Sequence, residues 1–537
     1  AYAQLARADP ALARVAALLA ALNAYSERTL DEPDFERRID AFDAITTGAF
    51  TPAEWDVLVH QALFFLGDEE MVLRTNAGAV LQTFARAHAG APSTVTSVIA
   101  GVRRRLTHKD ENVRREAVAV LGTLVEHVDT SYEPIGELQG LRGADAESSF
   151  FYNIYHIQIH RRVRALRRLG DFAASGAVSS RTTATLLIPL VWHFLVPAPN
   201  GALDMNLANE AVACIRRLSA ALDWSAYSQT LTRFLQQVRE HTERPAAERL
   251  HVRGVVGLLE AFHFALVPET SVFASVTTKL LPQLHALLDV RDDSQIPSRL
   301  PLAVGACRIA LNMPEDRRFG DVHKLVALVI AVLRSKVQTT RDAARETLLD
   351  LVRVAGQEYL VDVVQELRRV LTRGPQLAVC AFVVHNILAA LGTASVGEPV
   401  IVEVDRSVPD MTAVAVEDVF GHTGEDRIAI ENRTAVREMR QGKSLDTFEH
   451  LARLAAPPRL HDILLPLRDV LASTESPSVL RTVEECLRRI TSGTIANAHI
   501  SPGDLLVLCH TLIARGGGVF GREKQAAARR RVSVLDT

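Results

Sequence analysis

Arginine, alanine and two large apolar residues recur at fixed spacing in this chain, and few folds tolerate such a pattern. In "VLRTNAGAVLQTF" (72–84), Arg74, Ala77, Leu81 and Phe84 are separated by three, four and three residues. Arg114, Ala117, Leu121 and Leu124 repeat the spacing 40 residues on, and "TTRDAARETLLDL" (339–351) repeats it with Arg341, Ala344, Leu348 and Leu351. "SPSVLRTVEECLRRI" (476–490) is a looser copy. Spacings of three and four place residues on one stripe of an α-helix. Helix pairs recurring near 40 residues mark HEAT-like α-solenoids. A single hairpin cannot bury its stripe, so neighbours must stack on it. The expected fold is therefore all-α: a HEAT-like α-solenoid, a right-handed superhelix of antiparallel helix pairs with irregular insertions. The small alanine lets paired helices approach, and the arginine can bond to neighbouring carbonyls or carboxylates. Asp110 is placed to cap the helix that carries Arg114.

The array divides at composition shifts. HEAT-like repeats are expected over 1–128, 150–392 and 448–515. "DTSYEPIGELQGLRGADAESS" (129–149) reads as a loop. The segment 393–447 reads as an irregular charged insertion, and "VGEPVIVEVDRSVPDM" (396–411) within it as a possible extended excursion. Residues 516–537 read as a linker and basic tail. With 48% hydrophobic and 23% charged residues over 537 positions, a large packed core is expected and wholesale disorder is not.

Composition also limits function. The formal net charge is −3, so any nucleic-acid contact must be local. Six lysines stand against 54 arginines, a bias that reads mainly as genome composition. Cys214, Cys307, Cys380, Cys486 and Cys509 lie far apart without a CxxC, which suggests buried free thiols in a reducing compartment. No apolar run reads as long and clean enough to span a bilayer, and no signal-peptide pattern opens the chain.

Catalytic and cofactor motifs are weak. Gly516, Gly518 and Gly521 fit G-x-G-x-x-G, but a helical repeat precedes them where a dinucleotide fingerprint needs a strand. His156 and His160 lie one helical turn apart, yet Ile157 stands where a metalloprotease has its glutamate and no nearby acid or cysteine completes a metal site. There is no G-x-S-x-G elbow and no Walker motif. The expectation is a non-enzymatic chain with no cofactor and no metal.

One stretch stands out. In "HIQIHRRVRALRRL" (156–169), five of the eight residues from 161 to 168 are arginine. Wound as a helix, Tyr155, Ile159, Val163, Leu166 and Leu169 fall on one side. His160, Arg161, Arg164, Arg167 and Arg168 fall on the other, while Arg162 sits toward the apolar side, placed to bond within the fold. Guanidiniums at this pitch can bridge successive phosphates. They can equally be a solvent face or meet acids on the next repeat. These five residues are the candidate contact for RNA or an acidic partner.

At these residues the sequence resembles a known family. "FFYNIYHIQIHRRVRALRRL" (150–169) is similar to a signature of the U three small nucleolar RNA-associated protein twenty family, also called the down-regulated-in-metastasis family. Its members are very large HEAT-repeat proteins of the small-subunit processome. "SKVQTTRDAARETLLDLV" (335–352), "LRRVLTRGPQLAVCAFVVHNIL" (367–388) and "VEDVFGHTGEDR…KSLDTFEHLA" (416–452) agree in order. The family protein is several times longer, so the resemblance implies an internal fragment. It also departs after "FG", where the family is richer in lysine than "EDRIAIENRTAVREMR". The resemblance implies a non-catalytic scaffold of the early pre-ribosome in the nucleolus, needed for small-subunit ribosomal RNA processing. Its implied partners are pre-ribosomal RNA, other assembly proteins and the U three small nucleolar ribonucleoprotein, with no membrane and no small-molecule substrate. From periodicity alone, the helical arm of a large kinase or a transport-receptor solenoid stays open. The kinase would need DFG and a catalytic loop elsewhere, and the receptor would be distinctly acidic.

Overall fold

A computed structural model describes residues 12–27, 32–87, 92–145, 147–196, 204–240, 245–290, 292–372, 374–394, 402–421, 438 and 443–511, with a few isolated others. Contacts divide the chain into two units, 1–265 and 266–537. Among the described residues there is no β-sheet; the extended backbone pairs only in an isolated bridge between Tyr25 and Pro33.

The first unit contains α1 (Ala13–Leu22), α2 (Phe35–Thr47), α3 (Pro52–Phe65), α4 (Met71–Ala87), α5 (Pro92–Arg105), α6 (Glu111–His127), the short α7 (Phe150–Asn153) and α8 (Ile159–Ala174). Next comes α9, which runs Ser180–Thr182, a π-turn Thr183–Leu187 and Ile188–Trp192; α10 (Met205–Ser219), α11 (Trp224–Glu240) and α12 (Pro245–Glu260) follow. The second unit opens on α13, which runs Ser271–Ser275, a π-turn Val276–Leu280 and Leu281–Leu288. It continues with α14 (Pro301–Leu311), α15 (Glu315–Val332), α16 (Gln338–Ala355), α17 (Leu360–Val370), α18 (Pro375–Ala394), α19 (Val402–Phe420), α20 (Ser444–Leu454), α21 (Leu460–Ser473) and α22 (Pro477–Ile495).

Both units are two-layered. In the first, α2, α4 and α6 stack in one layer and α1, α3 and α5 in the other, each helix also packing on its hairpin partner. The layers continue as α8, α10 and α12 against α9 and α11. In the second unit α14, α16, α18, α20 and α22 form one layer, and α15, α17, α19 and α21 the other. A helix that meets its partner and the helices two along is the unit of an α-solenoid. This is the expected HEAT-like architecture.

The recurring residues explain why the layers hold. Ala77, Ala117 and Ala344 are wholly buried, as are Leu81, Leu121 and Leu348. The arginine is also buried and ties its helix to the turn before it. Arg74 donates to the carbonyls of Asp68 and Glu69 at 2.8 and 3.2 Å. Arg114 donates to those of His108 and Lys109 at 2.6 and 2.9 Å, and Arg341 to those of Ser335 and Lys336 at 3.0 and 3.1 Å. The first residue of each turn answers from its side chain. Asp68, His108 and Ser335 accept from the backbone N–H of Glu70, Asp110 and Val337, respectively. Asp110 then caps α6, its carboxylate accepting from Asn112 N–H at 2.9 Å.

Where the array is irregular, the structure departs from the sequence expectations. The described part of 129–149 is a run of turns, with a 3-10 turn at Gln139–Leu141, in which Ile135, Leu138 and Leu141 are nonetheless buried. Behind it α7 packs on both α6 and α8. A Cβ on Gly122 of α6 would lie 2.8 Å from the Phe151 Cβ, so only glycine admits α7 there. Within 393–447, α19 takes up residues 402–411 of the extended excursion expected over 396–411, while 395–401 lie outside the described residues. Val404, Val408, Met411, Val414 and Ala415 face the core, and α19 packs on α17, α20 and α21. The apolar stripe is there, but Pro409 and interspersed acids obscure it in the sequence. Residues 422–437, 439–442 and 516–537, with His422 and the Gly516, Gly518 and Gly521 motif, lie outside the described residues.

Two smaller expectations also change. By length and composition alone, Pro375–Gly392 of α18 is long and apolar enough to cross a membrane. Most of it is buried, with Cys380, Val383, Val384, Ile387 and Leu388 packed inside the unit, and core burial accounts for its character. Four of the five free cysteines are buried as expected, but Cys509 is exposed.

Two substitutions test the packing. Arg114→Met strands two part-buried carbonyls and removes the bond to Tyr155, and should cost about 3 kcal/mol of unfolding free energy. Ala117→Leu overpacks the hairpin and should cost about 1–3 kcal/mol. Urea denaturation of both variants reads the loss; a parental midpoint for either contradicts the assigned register.

Candidate nucleic-acid interface

The arginine-rich stretch folds as the start of α8, and its register is that of the repeat. Arg162, Ala165, Leu169 and Phe172 take the places of Arg114, Ala117, Leu121 and Leu124. Arg162 Nε donates to the His156 carbonyl at 2.6 Å, six residues back, as in the other copies. The His156 Nδ1 accepts from Gln158 N–H at 3.1 Å, as His108 does from Asp110. His156 is therefore the turn residue of a fourth copy, which explains it without a metal. Among the described residues no group of three or more His, Cys, Asp or Glu is placed to hold a metal ion.

The apolar side differs in detail from the helical projection. Leu166, Leu169 and Tyr155 are buried and Val163 is half-buried, but Ile159 is 43% exposed at the first turn. Ala165 and Ala173 fill the buried face instead. Arg162 lies against the fold as expected, and its second guanidinium nitrogen reaches Glu111 Oε1 at 2.8 Å.

The five stripe residues do not share one environment. Arg161 pairs with Glu147 at 3.2 Å, an acid from the insertion before α7. Arg167 pairs with Glu210 of α10, the next helix in the layer, at 2.8 Å. Arg168 donates to the carbonyls of Gly140 and Arg142 at 3.1 and 2.9 Å and so holds the 129–149 segment against α8. His160 and Arg164 are exposed, and neither makes a hydrogen bond or ion pair within the described residues. The geometry thus assigns Arg161, Arg167 and Arg168 partners inside the unit and leaves His160 and Arg164 open to solvent. The Arg167–Glu210 pair joins an exposed guanidinium to a largely covered carboxylate.

Sequence reading missed several polar positions. Tyr155 receives the Arg114 Nε at 3.1 Å. Burial pushes its hydroxyl up to about 12, against the opposing pull of the Arg114 charge, so it stays neutral. In the second unit Glu438 takes the same slot, accepting from Arg341 Nε at 3.1 Å and from a terminal nitrogen at 3.2 Å. Burial acts to raise the Glu438 carboxyl, but the bonds from Arg341 and Gln338 outweigh it and hold it below the usual range. Glu438 lies 97 residues from its partner, beyond the reach of any local pattern.

One half-buried and one buried histidine are pushed toward the neutral form. His193, at the end of α9, is pushed down to about 4 by burial, then by the Arg114 and His108 charges. In the second unit His385 is pushed down to about 4 by burial and by His450.

The paired layers and the turn-clamping arginine define a HEAT-like α-solenoid. Its sequence relatives are more particular. The U3 small nucleolar RNA-associated protein 20 domain model matches residues 290–513, and the N-terminal model of the same protein matches residues 1–131. The chain belongs to the U3 small nucleolar RNA-associated protein 20 family. It is 26% identical over 532 residues to U3 small nucleolar RNA-associated protein 20 of Schizosaccharomyces pombe, covering 91% of this chain and 21% of the relative. It is 28% identical over 543 residues to the Saccharomyces cerevisiae protein of that name, covering 95% of this chain and again 21% of the relative. The chain thus spans about a fifth of the length of these relatives. Among solved structures, yeast importin-beta matches with a TM-score of 0.34 at 14% identity, over 96% of this chain and 61% of its own. An engineered protein matches with a TM-score of 0.27 at 15% identity, over 81% of this chain and 99% of its own. Likeness of that degree bears on neither fold nor function.

Two measurements check the site. Arg162→Gln should destabilise the fold by about 1.5–3 kcal/mol, and Arg164→Gln should change it by less than about 0.5 kcal/mol; equal effects contradict the geometry. For the histidines, the unfolded value of 6.5 exceeds the folded value of about 4. The unfolded chain therefore binds more protons between them, so stability is complete above pH 6.5 and falls as pH drops toward 4. A stability–pH profile of His193→Gln should be flatter in that window than the parent's.

Proposed function

We propose that the chain is a non-catalytic scaffold of the early, nucleolar pre-ribosome, part of the small-subunit processome and required for small-subunit ribosomal RNA processing. Its family membership carries this reading. Both family models and both yeast relatives are named for association with the U3 small nucleolar RNA. The fold supports it, because stacked hairpins present long surfaces built for binding. The partners under this reading are pre-ribosomal RNA, assembly proteins and the U3 ribonucleoprotein, with no membrane and no small-molecule substrate.

Within it, His160 and Arg164 make first contact with a phosphate backbone or an acidic partner. Arg161, Arg167 and Arg168 join by exchanging Glu147, Glu210 and the carbonyls of the 129–149 segment for that partner. The exchange is affordable because each present pair is partly solvated.

Affinity purification with RNA crosslinking tests the proposal. The tagged protein should recover small-subunit pre-ribosomal RNA, and its depletion should cause unprocessed precursor to accumulate. Changing Arg161, Arg164, Arg167 and Arg168 to Gln should weaken assembly, and RNA binding should lose up to about one unit of salt slope per lost contact. Normal precursor processing on depletion overturns the scaffold reading. Unchanged recovery by the quadruple variant removes the stripe from it.

A further inference from the structure

The first unit holds a cavity of about 360 Å³ between α9 and α11, at the small end of the roughly 300–1,000 Å³ typical of ligand pockets. Its apolar wall comes from Ile188, Pro189, Trp192 and Phe234. The half-buried Trp192 is fixed edge-on to Phe234, with ring centres 4.0 Å apart. The wall is shaped by the π-turn Thr183–Leu187, directly ahead of Pro189. Proline lacks the N–H and crowds the carbonyl four residues back, and a π-turn relieves both. This widening sets Ala184 on the cavity's edge.

The rim is polar and, at its cationic positions, unsatisfied. Arg233 lines the cavity and makes no hydrogen bond or ion pair among the described residues. Arg103 and Arg104, at the end of α5, likewise have none. Arg104 adjoins the cavity, its carbonyl accepting at 2.8 Å from Thr107, which lines it, whereas Arg103 lines a separate pocket with Glu133. The lack of partners among the described residues sets Arg233 and Arg104 apart from Arg161, Arg162, Arg167 and Arg168, whose charges or donors are engaged within the unit. An acid also lies beside the rim: Glu240 accepts from the amides of Gln236 and Gln237 at 2.8 and 2.5 Å. Glu240 thereby orients the two amides at the cavity mouth. His193 completes the lining as a neutral ring, able to donate and to accept.

We propose that this cavity takes one unstacked nucleobase of a single-stranded RNA, with Arg233 and Arg104 holding the flanking phosphates. An aromatic and apolar slot suits the base, neutral amide and imidazole groups suit its edge, and free guanidiniums suit the backbone. An acidic peptide suits the arginines but brings its carboxylates to Glu240 and leaves the slot unfilled. A duplex keeps its bases stacked and cannot fill the slot. The proposal rests on the RNA-associated reading above, but it concerns a different surface from the α8 stripe.

The test is binding of the full chain to fluorescein-labelled single-stranded RNA twelve-mers and to the same sequences as duplex, read by anisotropy across a salt series. The parent should prefer single strands. Ala184→Phe, which fills the slot, should weaken single-strand binding by about tenfold and abolish the preference. Arg233→Gln, on an exposed side chain, should lower the salt slope by about one unit. Thermal melting should match the parent for both. Parental binding by both variants, or equal affinity of the parent for duplex, overturns the proposal. So does a parent that binds an oligoglutamate peptide at this site and no RNA. If pre-ribosomal RNA still crosslinks at α8 and not at α9 or α11, the scaffold reading survives and the cavity proposal falls.

Discussion

The solenoid depends on a buried guanidinium that closes the turn before its own helix. The first helical N–H groups and the carbonyls of a tight turn have no partners of their own. Burying them between two layers without partners is costly. Arg74, Arg114, Arg162 and Arg341 resolve this with one side chain each, donating to carbonyls five or six residues back. The turn residue, Asp68, His108, His156 or Ser335, supplies the complementary acceptor for the N–H of the residue just before the helix. Three chemically different side chains do this because the job needs only a short acceptor. In Arg74, Arg114 and Arg341 one terminal nitrogen donates to both carbonyls, which leaves Nε for a further partner in Arg114 and Arg341.

The clamp explains how much of the fold was legible. Its arginine, the alanine three on and the leucine seven on are local, so three copies could be read directly from spacing. The α8 copy was obscured by its surroundings. Among five arginines the structural one has no local mark, and the offset from Arg114 to Arg162 is 48 residues, widened by the 129–149 insertion. That insertion buries Ile135, Leu138 and Leu141 without helical periodicity. Pro409 likewise obscured α19, since a proline within a helix reads in sequence as a break.

The candidate site was legible only in part, because amphipathic winding assigns a side chain to a face but not to a partner. Winding placed Arg161, Arg164, Arg167 and Arg168 on the polar arc. It could not foresee Glu147, Glu210 or the carbonyls at Gly140 and Arg142, which come from other elements. The same holds for Glu438, which reaches the Arg341 clamp from 97 residues away. The cavity beside Trp192 needs α5, α9 and α11 together and has no signature in any one of them.

The clamp's outward Nε distinguishes one repeat from another. In Arg114 it meets a neutral tyrosine hydroxyl, in Arg341 a carboxylate, and in Arg74 no partner among the described residues. The three copies therefore share a backbone function but differ in cost. An ionised carboxylate on a buried guanidinium couples segment 393–447 to the repeat core, because removing either partner leaves a charge in low dielectric. Tyr155 couples the turn before α8 to α6 at lower cost, since removing Arg114 leaves only a neutral hydroxyl behind. Repeat stability is set locally, by each hairpin and its immediate neighbours.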